Sequence, residues 1–271
     1  MRRLLSIVIV GIVAVAALTM TRCTSVTGGA PTGVTLTAAT DSTVKVSWTA
    51  PTEGTPDKYY VAFMATDAST YTDFDTLTAV TVDHNPAGKT GKYKVTAVFG
   101  STTYDAATTP SSAPIATSAM TVSELNATGN SGFGWDRTAG TGSTYSMTVA
   151  GNAASVDFYI TNFATGHDTT PYSIASPDQG PTDPGAVVPA GSWRINAFTD
   201  ALTSETAPLP LHSTATYFNL TDLATDPIMV GCYTADGYYA LVKLSSYNIS
   251  AGTVSVQTWF QPIKGLRLIQ H

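Results

Sequence analysis

Two kinds of segment in this sequence bring together residues that could bind a ligand. In segment 133–137 a tryptophan stands beside an aspartate and an arginine, and segments 238–239 and 259–260 are aromatic. An exposed ring can stack on the apolar face of a sugar while neighbouring polar groups bind its hydroxyls. The alternative is a ring that is buried at one end of a β-sandwich, which would give the same sequence pattern. The predicted ligand-binding residues are Trp135, Asp136, Arg137, Tyr238, Tyr239 and Trp259.

The second kind of segment is a turn-rich loop, Ser176–Gly185, which contains Asp178 and Asp183. Calcium takes six to eight oxygen ligands, which carboxylates and backbone carbonyls of such a loop can supply. The alternating aspartates of a dedicated calcium loop are absent, so a rigid surface loop is the alternative. Calcium at Asp178 and Asp183 is the only cofactor that the sequence suggests.

Catalytic motifs are missing from the chain. Serine occurs in no Gly-x-Ser-x-Gly turn, and the four histidines lack the spacing of metal ligands. Acid/base hydrolysis of a glycan would need two carboxylates about 5–10 Å apart in a cleft, and the aspartates and glutamates are scattered. The sequence therefore predicts a protein that is not an enzyme, with a secreted glycan-active enzyme as an alternative.

The composition indicates a folded chain with an acidic surface. Of 271 residues, 43% are hydrophobic and only 12% are charged, which excludes a disordered tail. The formal net charge is −6, and three of the 13 basic residues lie in the first 22 positions. Without those three the balance is ten basic against 19 acidic residues, or −9. No nucleic acid partner is expected, because binding to phosphates needs clustered Lys and Arg.

The N-terminus has the pattern of an export signal. Two arginines precede the apolar run Leu4–Leu18, which is shorter than the roughly 20 residues of a spanning helix. Residues 1–23 are therefore predicted to be a leader, and 24–30, rich in Thr, Ser and Gly, a flexible tether. The protein is expected to be extracellular or at the cell surface.

Cys23, just after the apolar run, resembles the cysteine at which bacterial lipoproteins are cleaved and acylated. That motif has a small residue directly before the cysteine, whereas Arg22 stands here. Three fates stay open: lipidation at Cys23, which would anchor the protein to the outer membrane; cleavage between Ala16 and Ser25; or a retained anchor. Membrane contact is expected only through such an anchor.

Residues 31–117 have the pattern of a small β-sandwich. Val44, Val46 and Trp48 alternate with polar residues, and a later strand opens at Tyr93. Together with segments 59–61 and 110–114, this order resembles a fibronectin type III module. The resemblance implies an immunoglobulin-like fold, with Trp48 in the core, and the role of a spacer or adhesive unit.

Residues 119–271 predict a second, larger β-sandwich or jelly roll, so the fold class is all-β with two tandem sandwiches. Asp236-Gly237 between two apolar runs predicts a hairpin. Cys232, in an apolar run, is expected to be a buried, inert thiol. The apolar C-terminus is expected to pair in a sheet. The candidate strands are 145–149, 156–160, 193–198, 216–220, 228–233, 238–244, 254–260 and 266–269.

These observations together predict a non-enzymatic, exported cell-surface protein. The first domain would be a spacer, and the second would contact an extracellular polysaccharide or another surface protein. The alternative is a structural subunit of an extracellular filament or surface layer, which would self-associate by strand addition.

Overall fold

The computed structural model describes residues 28–271, which form two β-sandwiches one after the other. This confirms the predicted all-β class. The leader, Cys23 and most of the tether lie outside the described residues. Within residues 28–271 no helix has the length and hydropathy needed to cross a bilayer. The predicted domain limits stay predictions.

The first sandwich consists of two antiparallel sheets, ordered β1-β2-β5 and β4-β3-β6-β7. The alternation of apolar and polar residues along β2 explains how the two sheets pack together. Val44 and Val46 are fully buried between the sheets, while Lys45 faces solvent. The predicted core position of Trp48 is confirmed, since its ring is buried edge-on against Tyr59 with centroids 5.2 Å apart. The strands are β1 (Thr32–Ala38), β2 (Val44–Thr49), β3 (Lys58–Ala65), β4 (Thr72–Leu77), β5 (Thr81–His84), β6 (Gly91–Phe99) and β7 (Thr102–Asp105).

The second sandwich also has two sheets, ordered β11-β10-β12-β13-β15 and β14-β16-β17-β18-β8, with β9 pairing with β18 as well. Its core is rich in aromatic rings, among them Phe133, Phe158 and Phe260. Short 3₁₀ helices cover Ala150–Asn152 and Pro177–Thr182. The strands are β8 (Ile115–Ala116), β9 (Met120–Ser123), β10 (Gly132–Trp135), β11 (Gly142–Tyr145), β12 (Phe158–Thr161), β13 (Ser173–Ala175), β14 (Ala197–Phe198), β15 (Leu220–Asp222), β16 (Ile228–Tyr233), β17 (Tyr239–Asn248) and β18 (Thr253–Phe260).

The predicted hairpin at Asp236-Gly237 is confirmed. It joins β16 to β17, and Gly237 has a φ of 88°, a left-handed value that a side chain would strain. Cys232, on β16, is a free and fully buried thiol as expected, and burial raises its pKa well above the ordinary value.

Four of the candidate strands need correction. Of the strand predicted at 216–220, only Leu220 lies in a strand, β15, which continues to Asp222. The strand predicted at 145–149 ends at Tyr145, and that predicted at 193–198 is reduced to Ala197–Phe198. The segment 266–269 is not a strand, although its apolar residues are buried. Its backbone finds partners outside any ladder: the N–H of Arg267 donates to Asp41 O at 2.8 Å, and its carbonyl accepts from Leu209 N at 3.0 Å.

The last residues of the chain complete the core of the first sandwich. Ile263, Leu266 and Leu268 are buried in the same cluster as Trp48 and Tyr93. The sequence placed this segment in the second domain, and its buried residues pack in the core of the first sandwich. We name Ile263–Leu268 the C-terminal tail.

Polar contacts hold the C-terminal tail in place. Gln261 is fully buried, and its Nε2 donates to Ser112 O at 3.0 Å and to Leu268 O at 2.6 Å. Arg267 forms an ion pair with Asp41, in the loop after β1. Two of these contacts join residues far apart in the sequence, and the third lies between Gln261 and the tail itself.

Candidate functional site

A polar cleft of about 370 Å³ opens at one end of the second sandwich. We name it the Arg137 cleft. It lies beside the β10–β11 hairpin, and Arg194 approaches from the segment before β14. Its lining residues are Trp135, Asp136, Arg137, Thr141, Ser143, Tyr145, Ala154, Ser155 and Arg194.

The floor of the Arg137 cleft is a buried ion pair. Asp157 is fully buried, and Arg137 donates two hydrogen bonds to its carboxylate, from Nη1 to Oδ2 at 2.8 Å and from Nη2 to Oδ1 at 2.7 Å. Asp157 also accepts the backbone N–H of Trp135 at 2.9 Å. A buried carboxylate needs such partners because its removal from water costs several kcal/mol.

Two further charges extend the pair into a network. Arg137 Nε donates to Asp236 Oδ2 at 2.7 Å, and Arg194 Nη1 lies 3.3 Å from Asp157 Oδ1. The guanidinium of Arg137 also lies 5.6 Å from the ring centroids of Tyr238 and Phe260, within cation–π range. Two arginines and two aspartates thus balance one another, and the cleft has no excess of positive charge from them.

Local packing explains why a glycine-rich segment forms strand β10. A Cβ at Gly134 would lie 1.8 Å from Ser155 O, so only glycine lets the backbone approach the chain before β12. Asp136 then turns the chain, because its Oδ1 accepts the backbone N–H groups of Thr138 and Ala139, each at 2.7 Å. Those bonds lower the pKa of the exposed Asp136 carboxyl.

Burial corrects the prediction that Trp135 offers its ring to a sugar. The residue is 5% exposed, and its Nε1 donates to Thr258 Oγ1 at 2.8 Å. Its ring stacks against Phe260 in the core, with centroids 5.7 Å apart. Only Asp136 and Arg137 of the predicted set present polar groups to the cleft.

The other predicted rings do not gather at the Arg137 cleft. Tyr239 and Trp259 are buried on the opposite face of their sheet, with Leu241 and Ile269, so exposed stacking is wrong for them too. Tyr238 is half-buried under Arg137. The reason is strand alternation, which sends neighbouring residues to opposite faces.

The two aspartates predicted to share calcium have different hydrogen-bond partners. Asp178 accepts from Ser176 Oγ at 2.5 Å and from Gln179 Nε2 at 2.8 Å, whereas Asp183 accepts from Tyr159 at 2.8 Å. Among residues 28–271 no group of three or more His, Cys, Asp or Glu side chains is placed to hold a metal.

Sequence reasoning missed the roles of Asp157, Asp236 and Arg194 in the cleft. Asp157 carried a usable signal, because a charge between Val156 and Phe158 in an apolar run must find a buried partner. The sequence singled out Arg137 but not its pairing, since Asp157 lies 20 residues away and Asp236 lies 99 residues away along the chain.

Asp236 gives the network a pH dependence. Burial raises the pKa of Asp236, but the hydrogen bonds and charge of Arg137 outweigh it and lower the pKa to about 2 from 3.8. A lowered pKa stabilises the folded state above the ordinary value, and this contribution is lost as the pH falls toward about 2. In urea unfolding, Asp236→Asn should therefore lose less free energy of unfolding than the wild type between pH 3.8 and about 2. Equal losses in the two proteins would contradict the coupling.

Comparison with known proteins gives one family. The family model described as fibronectin type III domain matches residues 29–157, from just before β1 to just before β12. No curated protein matches the chain.

Three solved structures resemble it at low identity. The FN5 domain of Drosophila Lar is 14% identical and covers 31% of this chain and 91% of its own, with a TM-score of 0.26. Titin kinase with its flanking domains is 10% identical, with a TM-score of 0.28, and the match covers 86% of this chain and 37% of that one. The FN1–FN3 domains of chicken CNTN1 are 8% identical, with a TM-score of 0.23, over 87% and 89% of the two chains.

The residues quoted for the resemblance all lie on the first sandwich or just after it. The strands of the first sandwich and the buried Trp48 lie within the matched residues 29–157, and the match continues past this sandwich to the chain before β12. The N-terminal part of this chain is therefore similar to fibronectin type III domains, a family of β-sandwich spacers or binding modules that are typically non-catalytic.

Proposed function

We propose that this protein is a non-enzymatic, exported cell-surface protein whose second sandwich binds an extracellular polysaccharide in the Arg137 cleft. The observation that carries the proposal is the lining of the cleft. It combines hydroxyls of Ser143, Ser155 and Tyr145 with the carboxylate of Asp136 and the guanidinium of Arg194. Such a mixture of donors and acceptors suits sugar hydroxyls.

The charge balance of the cleft favours a neutral polysaccharide. Asp157 and Asp236 already pair with the two arginines, and Asp136 adds a further negative charge at the rim. An anionic polymer would meet no unpaired cation among these residues. The first sandwich then acts as a spacer that holds the cleft away from the surface.

The carboxyls around the cleft support a binding role over hydrolysis. A glycosidase needs one carboxyl with a raised pKa to act as the general acid. The pKa values of Asp136 and Asp236 are both lowered, and Asp157 is fully buried under two arginines.

The test is binding to a glycan array and to insoluble polysaccharides, using the mature protein and a blocked variant. Ser143→Trp fills the cleft from an exposed position, and Ser101→Trp, between β6 and β7, is the matched control. We expect Ser143→Trp to weaken binding about tenfold or more, which is ~1.4 kcal/mol, and the control to bind as the wild type.

Two results would overturn the proposal. Binding that survives Ser143→Trp would place the ligand elsewhere, and the absence of binding to any polysaccharide would remove the ligand class. Filaments in electron micrographs of the purified protein, together with no glycan binding, would favour the structural-subunit alternative. Strand β4, an edge strand with Asp73 and Asp75, is guarded against such pairing by its charges.

A further inference from the structure

Two acidic side chains are buried together beside strand β12, away from the Arg137 cleft. Glu124 follows β9 and is fully buried, and Asp183 follows the 3₁₀ helix Pro177–Thr182 and is 7% exposed. Neither carboxylate takes part in an ion pair among residues 28–271. Buried carboxylates without a cation are uncommon, because burial penalises their charge.

Both residues lie against strand β12. Glu124 forms a parallel bridge with Ile160, between Tyr159 and Thr161 on β12. The hydroxyl of Tyr159 donates to Asp183 Oδ2 at 2.8 Å. Burial raises the pKa of Glu124, and the charge of Asp183 adds to that rise, as expected for neighbouring acids.

One oxygen of this pair is left without a partner. Glu124 accepts the backbone N–H of Asn126 at Oε2, at 2.7 Å, and that of Asn162 at Oε1, at 3.2 Å. Asp183 Oδ1 is buried, and no donor in the described part of the chain meets hydrogen-bond geometry with it, although the Thr161 hydroxyl is close enough to lower the pKa of Asp183. Leaving such a buried acceptor unsatisfied costs about 1–3 kcal/mol, and a water molecule or an ion is a common partner for it.

We propose that Glu124 and Asp183 bind a calcium ion, with Asp183 Oδ1 as a direct ligand. The two carboxylates, neutral side-chain and carbonyl oxygens nearby, and water would make an oxygen-only set, which suits a hard cation of flexible coordination. Magnesium is less suited because it demands near-ideal octahedral geometry. The site keeps Asp183 of the pair predicted from sequence, and Glu124 takes the place of Asp178.

A cation here would join three loops. Asn126 Nδ2 donates to Ala164 O at 2.8 Å and reaches Pro184 O at 3.5 Å, so the segments after β9, β12 and the 3₁₀ helix already touch. Calcium between Glu124 and Asp183 would tighten this junction and stabilise the second sandwich. Extracellular calcium modules bind with dissociation constants of about 0.1–1 mM, and we expect this range.

The experiment measures the unfolding midpoint of the full mature protein with CaCl₂, MgCl₂ or EDTA. At a calcium concentration about ten times the dissociation constant, Tm should rise by about 3 °C. The rise should be lost in Asp183→Asn and Glu124→Gln. It should persist in Asp178→Asn, the matched control from the same loop.

Terbium luminescence gives a second readout on the wild-type protein, which does not depend on how the variants fold. Tyr159 donates to Asp183, so its ring is placed to sensitise a bound Tb³⁺ ion. The signal should be displaced by calcium, and it should fall in Tyr159→Phe, which also loses the bond that orients Asp183 and should bind about tenfold more weakly.

Three results would overturn the proposal. The first is the absence of both the calcium-dependent rise in Tm and the terbium signal. The second is a calcium effect that persists in Asp183→Asn, or that disappears in Asp178→Asn. The third is that a bound proton, and not a calcium ion, neutralises the carboxyls of Glu124 and Asp183. In that case the raised pKa values make the wild type more stable as the pH falls, Asp183→Asn removes the part of that gain that comes from Asp183, and calcium adds nothing.

Discussion

Replacing Leu266 with alanine is expected to lower the free energy of unfolding by about 2–5 kcal/mol. Leu266 is fully buried in the core of the first sandwich, although it belongs to the C-terminal tail. The substitution removes apolar contacts and leaves a cavity that neighbouring side chains fill only in part. Urea unfolding of the full chain, followed by tryptophan fluorescence, gives the difference, and Trp48 in the same cluster reports on the first sandwich.

The control for this prediction is the same substitution at an exposed leucine. Leu211 is 60% exposed, so Leu211→Ala should change the free energy of unfolding by no more than about 0.5 kcal/mol. If Leu266→Ala were as mild as Leu211→Ala, the C-terminal tail would not be part of the first core.

Replacing Arg137 with alanine is expected to lower the free energy of unfolding by about 3–5 kcal/mol. The change leaves Asp157 fully buried, and Arg194 at 3.3 Å is the only guanidinium that still contacts it in the described structure. Most of this loss of stability comes from leaving the buried Asp157 carboxylate without its main partner, and less comes from the lost attraction between Arg137 and Asp157. Thermal or urea unfolding measures it directly.

A double variant separates these two contributions. Asp157→Asn removes the charge that Arg137 neutralises, so Asp157→Asn combined with Arg137→Ala should cost less than the sum of the single variants. Lys45→Ala, which breaks an exposed pair with Asp83, is the control and should cost about 0–1 kcal/mol. Additive single effects would mean that Arg137 and Asp157 do not act as a pair.

Strands that carry a clean local pattern were predictable from the sequence. The strand Ile228–Tyr233 was predicted with its observed limits, and Thr253–Phe260 differs from its prediction by one residue. Strand β10 was missed, because glycine has a low strand propensity. The glycine at 134 is needed because Ser155 O approaches it closely, and that contact depends on the tertiary fold.

Sites were less predictable than strands because they depend on distant partners. The segment 135–137 was correctly singled out as part of a candidate site, but the burial of Trp135 depends on Thr258, 123 residues away. The apolar character of Leu266 and Leu268 predicted burial correctly and could not show which core would receive them. Hydrophobicity predicts that a residue is buried, and the topology of the chain determines which core it joins.

The C-terminal tail also sets the order of events during synthesis. A chain made from its N-terminus releases β1 to β7 first, but Leu266 and Leu268 emerge only after the whole second sandwich. Contacts between such distant segments close large loops and form slowly. The strands of the first sandwich are therefore made before those of the second, but its core is complete only after the second sandwich has been made.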